Sequence, residues 1–282
     1  MKLVTFFKGG IHGDRSPRPG LVIEEGVVDL SAEGFRDSIA FMAAPPSVQA
    51  DVARSKGAIS MEGLKLLAPV PVPPRIFGIG VNYAEHAKES KTEVQKVPTV
   101  FIKLSSAVVG PGADVILPKA SQKVDYEAEL AVVIGKAGYQ IPASRAMEHV
   151  FGYTMMNDVS ARDVQRATTQ WSLGKSFPTF APMGPWVVSK DEVPDPHALG
   201  ISMEIGGERL QDSNTSLMIF RIPALIEYIA GITPLQVGDV ISTGTPAGVG
   251  MGRTPQRWLK PGEEMVVRVE GIGELRNKTV AE

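Results

Sequence analysis

The chain has 282 residues, a formal net charge of −2 at pH 7 and no cysteine. Its 29 Lys and Arg residues are scattered among 31 Asp and Glu residues, which excludes the basic surface typical of nucleic-acid or anionic-membrane binding. The absence of cysteine excludes disulfides, thiolate metal sites and thiol nucleophiles. The apolar part of the segment "MKLVTFFKGG" is shorter than we expect for a signal peptide, and no apolar run approaches the roughly 18 residues of a membrane span. We therefore expect a cytoplasmic protein with a small-molecule substrate and with neither a nucleic-acid nor a membrane partner.

Residues 1–70 are predicted to form a small N-terminal α+β accessory domain. The segments "KLVTFF" and "GLVIEEGVVDL" are typical of short strands, and a helical stretch follows that Pro45 and Pro46 interrupt. The next segment, "LAPVPVPPR" at residues 67–75, has four prolines, which favour extended chain. We interpret it as the boundary to a larger domain, residues 71–282.

The larger domain is predicted to be mainly β. Strand-like segments recur between Gly and Pro turns, among them "IFGIG", "TVFIKL", "DVILP", "AELAVVIG", "FGYTMMND", "MGPWVVS", "ISMEIGG", "DVISTGT" and "EMVVRVEG". Helical patterns are fewer and lie at roughly 83–90, 142–149, 159–167 and 222–231. The predicted fold class is therefore α+β, mainly β.

The segment "VDYEAELAVVIG", residues 124–135, starts with acids at every second position. On one strand, Asp125, Glu127 and Glu129 would share a face, where like charges repel unless a cation joins them. An edge strand with its acidic face in water is the alternative. Asp158 follows another apolar strand, either as a helix N-cap or as a third carboxylate aimed at Glu127 and Glu129. Three such carboxylates would suit Mg²⁺ or Mn²⁺.

Two further segments carry candidate catalytic groups. In "NYAEHAKES", His86 and Glu89 are i,i+3 neighbours on a helix, so the carboxylate can orient the imidazole as a general base; a mixed-charge surface helix is the alternative. Lys175 could stabilise a developing oxyanion or be an exposed charge. The Gly-rich turn "STGTPAGVG" could hold a carboxylate through its amides and Thr245, or be only a turn. His12, His149 and His197 are interpreted as structural.

Taken in order, "IGVNYAEHAKE", "VDYEAELAVVIG", "NDVSARDVQ", "LGKSFPTFAPMGP" and "STGTPAGVG" closely resemble the fumarylacetoacetate hydrolase family. The resemblance runs from about Arg75 to the C-terminus and implies a mixed β-sandwich or roll in that domain, usually within a homodimer. It also implies a divalent metal, Mg²⁺ or Mn²⁺, bound by Glu127, Glu129 and Asp158, with only a supporting role for Asp125.

The acylpyruvase-like branch of this family implies roles for further residues. Positions matching His86 and Glu89 form a dyad on a mobile segment that closes over substrate. Positions that match Arg162, Gln165, Lys175 and Thr245 contact the substrate or the developing anion. The chain differs at Val81, where several acylpyruvate-cleaving relatives carry arginine, so their substrate specificity is not carried over.

These roles indicate an enzyme that works through a metal-stabilised enolate. We expect hydrolysis of a C–C bond in a 2,4-dioxo acid, an acylpyruvate or a sugar-derived diketo acid, with His86 and Glu89 activating water. Loss of CO₂ from oxaloacetate, or isomerisation of a 2-hydroxydienedioate, would use the same site and is the alternative. A non-catalytic protein in which Glu127, Glu129 and Asp158 hold Ca²⁺ is a third interpretation.

Overall fold

The computed structural model describes residues 1–9, 14–54 and 57–282. Strands dominate these ranges, in agreement with the predicted α+β, mainly β class. In chain order the strands are β1 (Lys2–Lys8), β2 (Asp14–Ile23), β3 (Gly26–Asp29), β4 (Lys65–Leu67), β5 (Ile76–Gly80), β6 (Thr99–Lys103), β7 (Val108–Val109), β8 (Asp114–Leu117), β9 (Val124–Asp125), β10 (Ala128–Ile134), β11 (Val150–Asn157), β12 (Ser160–Ala161), β13 (Ala181–Ser189), β14 (Gly200–Ile205), β15 (Glu208–Asn214), β16 (Val240–Ser242), β17 (Glu264–Val269) and β18 (Gly273–Ala281).

The helices are short apart from the last one. They are α1 (Ser38–Met42), α2 (Pro46–Val52), α3 (Ala84–Glu89), α4 (Arg162–Gln165) and α5 (Ile222–Ile232), with 3₁₀ turns at Ser105–Ala107, Ala143–His149, Lys190–Glu192, Thr215–Leu217 and Gly250–Gly252. Helix α5 buries Ile222, Leu225, Ile226 and Ile229, the residues of its apolar stripe. The prediction for residues 222–231 is thus confirmed.

The predicted helix at residues 159–167 begins later than expected. Ser160 and Ala161 are extended in β12, and only Arg162–Gln165 is helical. Ser160 pairs with Asp125 of β9, so strand pairing overrides the local helical preference. The predicted helix at 142–149 is a 3₁₀ segment, and β15 was missed because its sequence, "ERLQDSN", is mostly polar.

The described strands form a large sheet, a smaller one and a two-stranded ribbon. The large sheet runs β3-β2-β1-β13-β11-β10-β16-β5-β6, with β4 on β1 and β7 on β13. The smaller sheet runs β15-β14-β17-β18-β8, and β9 pairs with β12. Every residue of β10 and β11 is buried, as expected for central strands covered on both faces. Strand β1, within residues 1–70, pairs with β13, so strands from both sides of the predicted domain boundary belong to the large sheet.

Strand direction brings several chain segments to one edge of the large sheet. Strand β10 is antiparallel to β11 and β16, and β16 is parallel to β5. The start of β10 therefore lies beside the ends of β11, β16 and β5. The polar residues of the candidate site follow or precede these strands at that edge.

Candidate active site

Glu127, Glu129 and Asp158 meet at the start of β10 and the end of β11. The pairing of Ala128 with Asn157 places Glu127 and Glu129 beside Asp158. One carboxylate oxygen from each of the three lies within 4.8 Å of the others. None of the three residues is more than 4% exposed, so the edge-strand interpretation with acids in water is wrong. Asp158 does not cap α4, whose N-cap residue is Ala161.

Asp125 does not share the acidic face that a single continuous strand would create. It lies in β9, separated from β10 by Tyr126 and Glu127. Its carboxylate accepts hydrogen bonds from the backbone amides of Gly250 and Met251 at 2.7 and 3.0 Å and from Arg162 at 2.9 Å. Asp125 thus holds the loop at Gly250 and Met251 and the side chain of Arg162 in place. These groups lie beside Glu127, Glu129 and Asp158, which we call the acid cluster.

Among the described residues, three buried cations surround the acid cluster. Lys175 Nζ lies 2.6 Å from Glu127 Oε2 and 2.6 Å from Asp158 Oδ2. Lys103 Nζ lies 2.6 Å from the other oxygen of Asp158, and Arg162 Nη2 lies 2.5 Å from Glu127 Oε1. Lys175 is only 2% exposed, which excludes the interpretation of an exposed charge.

Lys103 is a member of this cluster that the sequence analysis missed. It ends the apolar strand β6, "TVFIK", and is 1% exposed. Besides Asp158, its ammonium group donates to the carbonyl of Val159 at 3.1 Å. The sequence signal for Lys103 is its position at the end of an apolar strand. A lysine at such a position is buried only when its charge is paired.

The environments of Glu127 and Glu129 push their pKa values in opposite directions. Burial alone would raise the pKa of Glu127, but Arg162 and Lys175 outweigh it and hold that pKa well below its usual range. Burial, together with the charges of Asp158 and Glu127, raises the pKa of Glu129 to about 8. Glu129 accepts hydrogen bonds from Ser242 at 2.5 Å and the Gly244 amide at 3.0 Å. Across residues 1–9, 14–54 and 57–282, no cationic side chain lies within salt-bridge distance of Glu129.

The unpaired carboxyl group of Glu129 shows that the site fits a divalent cation. Within the described residues, Lys103, Arg162 and Lys175 pair with Asp125, Glu127 and Asp158, whereas Glu129 has no cationic partner. With its pKa raised to about 8, Glu129 ionises at neutral pH only when a cation is beside it. The donors are all carboxylate oxygens, which Mg²⁺ and Mn²⁺ prefer, and they lie close enough together to share one ion. Glu127, Glu129 and Asp158 can therefore hold a divalent metal.

His86 and Glu89 form a hydrogen-bonded pair on α3. His86 Nδ1 lies 2.8 Å from Glu89 Oε1, as the i,i+3 spacing predicts. His86 is 6% exposed, so α3 is not simply a surface helix. The other oxygen of Glu89 accepts the Gly248 amide at 2.9 Å. Glu89 therefore joins α3 to the loop after β16 and orients the imidazole at the same time.

The structure places the remaining predicted site residues around the same centre. Arg162 Nη1 donates to Gln165 Oε1 at 3.0 Å. The Thr245 hydroxyl donates to the carbonyl of Ala128 at 3.0 Å and accepts from Gln211 at 2.8 Å. Both Gln165 and Thr245 line the same cavity as the acid cluster. Their contacts with a substrate stay a prediction.

The cavity at this centre has a volume of about 70 Å³. Its polar lining includes His86, Glu127, Glu129, Arg162 and Lys175, and its apolar wall consists of Ile79, Val81, Phe101, Trp171 and Met251. The rings of Phe101 and Trp171 are 5.7 Å apart. Val81 has a φ of 56°, which is uncommon for a β-branched residue.

His149 and His197 lie outside this cavity. His149 Nδ1 lies 2.9 Å from the Lys136 carbonyl. His197 Nε2 accepts the Ile222 amide at 3.1 Å, and its Nδ1 lies 3.6 Å from Asp195, an acidic neighbour that the sequence analysis overlooked. His12 lies outside the described residues.

No helix in the described part of the chain is long and apolar enough to cross a membrane.

The comparison with known proteins agrees with these features. Residues 75–280 match the model of the fumarylacetoacetate (FAA) hydrolase C-terminal family. The chain is 49% identical over 216 residues to the mitochondrial oxaloacetate tautomerase FAHD2B of Bos taurus, covering 76% of this chain and 69% of that protein. It is 41% identical to the mitochondrial oxaloacetate tautomerase fahd2 of Xenopus laevis, covering 99% of this chain and 90% of the relative.

Solved structures of similar proteins share the whole fold. Fumarylacetoacetate hydrolase from Exiguobacterium antarcticum has a TM-score of 0.87 at 35% identity, with complete coverage of both chains. Maleylpyruvate hydrolase from Sphingobium sp. SYK-6, solved in complex with manganese(II) and pyruvate, has a TM-score of 0.83 at 28% identity and covers 100% of this chain and 99% of its own. The chain thus belongs to the fumarylacetoacetate hydrolase family, a family of hydrolases, isomerases and tautomerases.

Proposed function

We propose that the chain is a divalent-metal-dependent tautomerase that interconverts the enol and keto forms of a small 2-oxo acid. The observation that carries this proposal is the cavity, which combines the acid cluster, Lys175 and His86 in a small space. The likeness to the oxaloacetate tautomerase of Xenopus laevis over 99% of the chain supports the same conclusion.

His86 is the group that moves the proton. With Nδ1 protonated and donating to Glu89, Nε2 has its lone pair free to accept a proton. Nε2 takes the proton of the enol hydroxyl and returns a proton to C3, so the imidazole ends neutral and the substrate keeps its composition. Glu89 stabilises the imidazolium that forms in between.

Lys175 supplies fixed positive charge beside the reacting oxygen. Burial alone would lower the pKa of Lys175, but Asp158 and Glu127 raise it above its ordinary value, so the ammonium group stays protonated. It can therefore stabilise an enolate oxygen without acting as a base. A divalent ion held by Glu127, Glu129 and Asp158 would supply Lewis-acid polarisation of the 2-oxo group.

The test is the decay of enol absorbance of oxaloacetate, with Mg²⁺, with Mn²⁺ and with chelator. We expect metal-dependent acceleration over the spontaneous reaction while total oxaloacetate stays constant. His86→Asn should lower kcat by about 10²- to 10⁴-fold, the usual contribution of a positioned acid–base group. The matched control is His197→Gln, which alters a histidine outside the cavity and should leave kcat unchanged. Full activity in His86→Asn would contradict the proposed proton transfer.

Hydrolysis of a 2,4-dioxo acid is the second candidate, and the His86–Glu89 pair favours it. The same Nε2 that accepts a proton from an enol could accept one from water, which would then attack the distal carbonyl and release a carboxylic acid and a pyruvate-type product. Product analysis separates the candidates. Release of pyruvate plus a carboxylic acid from a dioxo acid indicates the hydrolase, and release of CO₂ from oxaloacetate indicates a decarboxylase.

A further inference from the structure

Arg166 is a cation at the cavity that the proposed proton transfer does not use. It follows α4, whose Arg162 and Gln165 also line the cavity. Residues three and four positions apart share a helix face, so Arg162, Gln165 and Arg166 come to the same side. Arg166 also lines the cavity but is exposed, whereas Arg162 is only 4% exposed. It therefore lies at the cavity's open end.

The positive charge of Arg166 has no partner in the described part of the chain. Within residues 1–9, 14–54 and 57–282, its guanidinium group has neither a hydrogen-bond nor an ion-pair partner. The inner cations, in contrast, are taken up by buried carboxylates: Lys175 by Glu127 and Asp158, and Arg162 by Asp125 and Glu127. A negative group of the substrate that extends toward the opening would thus meet one free guanidinium.

In the described part of the chain, the remaining wall offers such a group no further cation. It consists of the apolar side chains of Ile79, Val81 and Phe101 and of the neutral hydroxyls of Ser90 and Thr92, which hydrogen-bond to each other at 3.2 Å. A carboxylate placed against the apolar part of this wall would lose hydration without gaining a hydrogen bond. At Arg166, a carboxylate can instead accept two parallel hydrogen bonds from one guanidinium.

We propose that Arg166 binds the second carboxylate of the substrate and makes the enzyme selective for 2-oxo dicarboxylates. This inference rests on the proposed function, because it assigns the 2-oxo acid end of the substrate to the acid-cluster end of the cavity. The distal carboxylate then lies at the opening, where Arg166 remains hydrated in the free enzyme and closes onto the bound substrate.

The first experiment compares turnover of two substrates that differ in one charge, oxaloacetate and its C4 methyl ester, by decay of the enol absorbance. We expect Arg166→Gln to lower kcat/KM for oxaloacetate by about 10- to 100-fold, the range for a hydrogen bond to a charged group, and to leave the ester unchanged. Arg166→Lys should restore part of the loss. The matched control is Arg36→Gln, which removes an exposed arginine outside the cavity.

The second experiment measures binding without turnover, by titrating the Mg²⁺-loaded protein with malate and with lactate. Wild-type protein should bind malate more tightly, and Arg166→Gln should lose that preference. If neither substrate turns over but the malate preference depends on Arg166, the carboxylate site stands and the tautomerase proposal fails. If oxaloacetate turns over and Arg166→Gln affects acid and ester equally, the tautomerase stands and the role of Arg166 is overturned.

Discussion

Two regions of the molecule contain ion pairs of nearly the same length but in different surroundings. In the candidate site, Lys175 and Glu127 are 2.6 Å apart and almost fully buried. On the smaller sheet, Arg268 and Glu274 are 2.7 Å apart, with side chains 28% and 43% exposed. Water can solvate each charge of the exposed pair if its partner is lost, whereas a buried charge depends on its partner.

This difference in burial indicates that the charges of the candidate site serve a function other than stability. Ion pairs in an interior are weak evidence for stability, because desolvation costs several kcal/mol per ion. Glu129 lacks even a cationic partner in the described structure. A buried carboxyl group that has no cationic partner and whose pKa is raised to about 8 is therefore better explained by a ligand than by folding.

Removing the uncompensated carboxylate should have the largest effect on function and little effect on the fold. Glu129→Gln keeps the side chain's shape and should lower Mg²⁺ affinity and activity by more than about 100-fold, since loss of partners around a metal ligand already costs 10- to 100-fold. The metal-free protein should keep its thermal midpoint. Calorimetric metal titration and thermal unfolding measure the two effects. Unchanged Mg²⁺ affinity would argue against Glu129 as a ligand.

Breaking the buried network at a cation should have the largest effect on stability. Arg162→Met leaves Asp125 without a cationic partner and Glu127 with Lys175 alone, and should cost about 3–5 kcal/mol of unfolding free energy. Urea unfolding of the metal-free protein measures it. A cost below about 1 kcal/mol would show that the network has no more effect than a surface pair.

Removing an exposed arginine from the smaller sheet is the change that matches Arg162→Met. Arg276 contacts Glu274 at 2.5 Å and Glu264 at 3.2 Å, and these side chains are 43–58% exposed. Arg276→Gln should therefore cost less than about 1 kcal/mol. The difference from wild type should shrink further at high salt, because exposed charges are screened. A cost equal to that of Arg162→Met would remove the contrast between the two regions.

The His197 side chain is 11% exposed, which is more than the buried ion pairs of the site and less than the exposed pairs of the smaller sheet. We expect its substitution to change stability least. Burial, helped by the charge of Arg221, lowers its pKa below 6.5, and its Nε2 accepts the Ile222 amide only when unprotonated. As the pH falls below about 6.5, the unfolded chain takes up a proton before the folded one, so stability declines. His197→Gln should flatten the decline in urea midpoint between pH 7 and pH 5. An identical decline in the variant would assign it to other groups.

Local rules account for the parts of the fold and site that the sequence predicted. Alternation of apolar residues located most strands, and the 3.6-residue period located α5 within one residue of its observed end. The i,i+3 spacing of His86 and Glu89 predicted their contact. Where tertiary pairing competes with local preference, as at Ser160 and Ala161, local rules placed helix instead of strand.

The sequence by itself determined which carboxylates stand next to buried strands and how the dyad on α3 is spaced. Tertiary structure alone decided which cations and hydrogen-bond donors lie beside them. Lys103 and Asp158 are 55 positions apart in the chain, and Ser242 and Glu129 are 113 apart. The opposite pKa shifts of Glu127 and Glu129, two residues apart, follow from these distant partners. Desolvation and Coulomb energies depend on distances in space, which the order of residues does not contain.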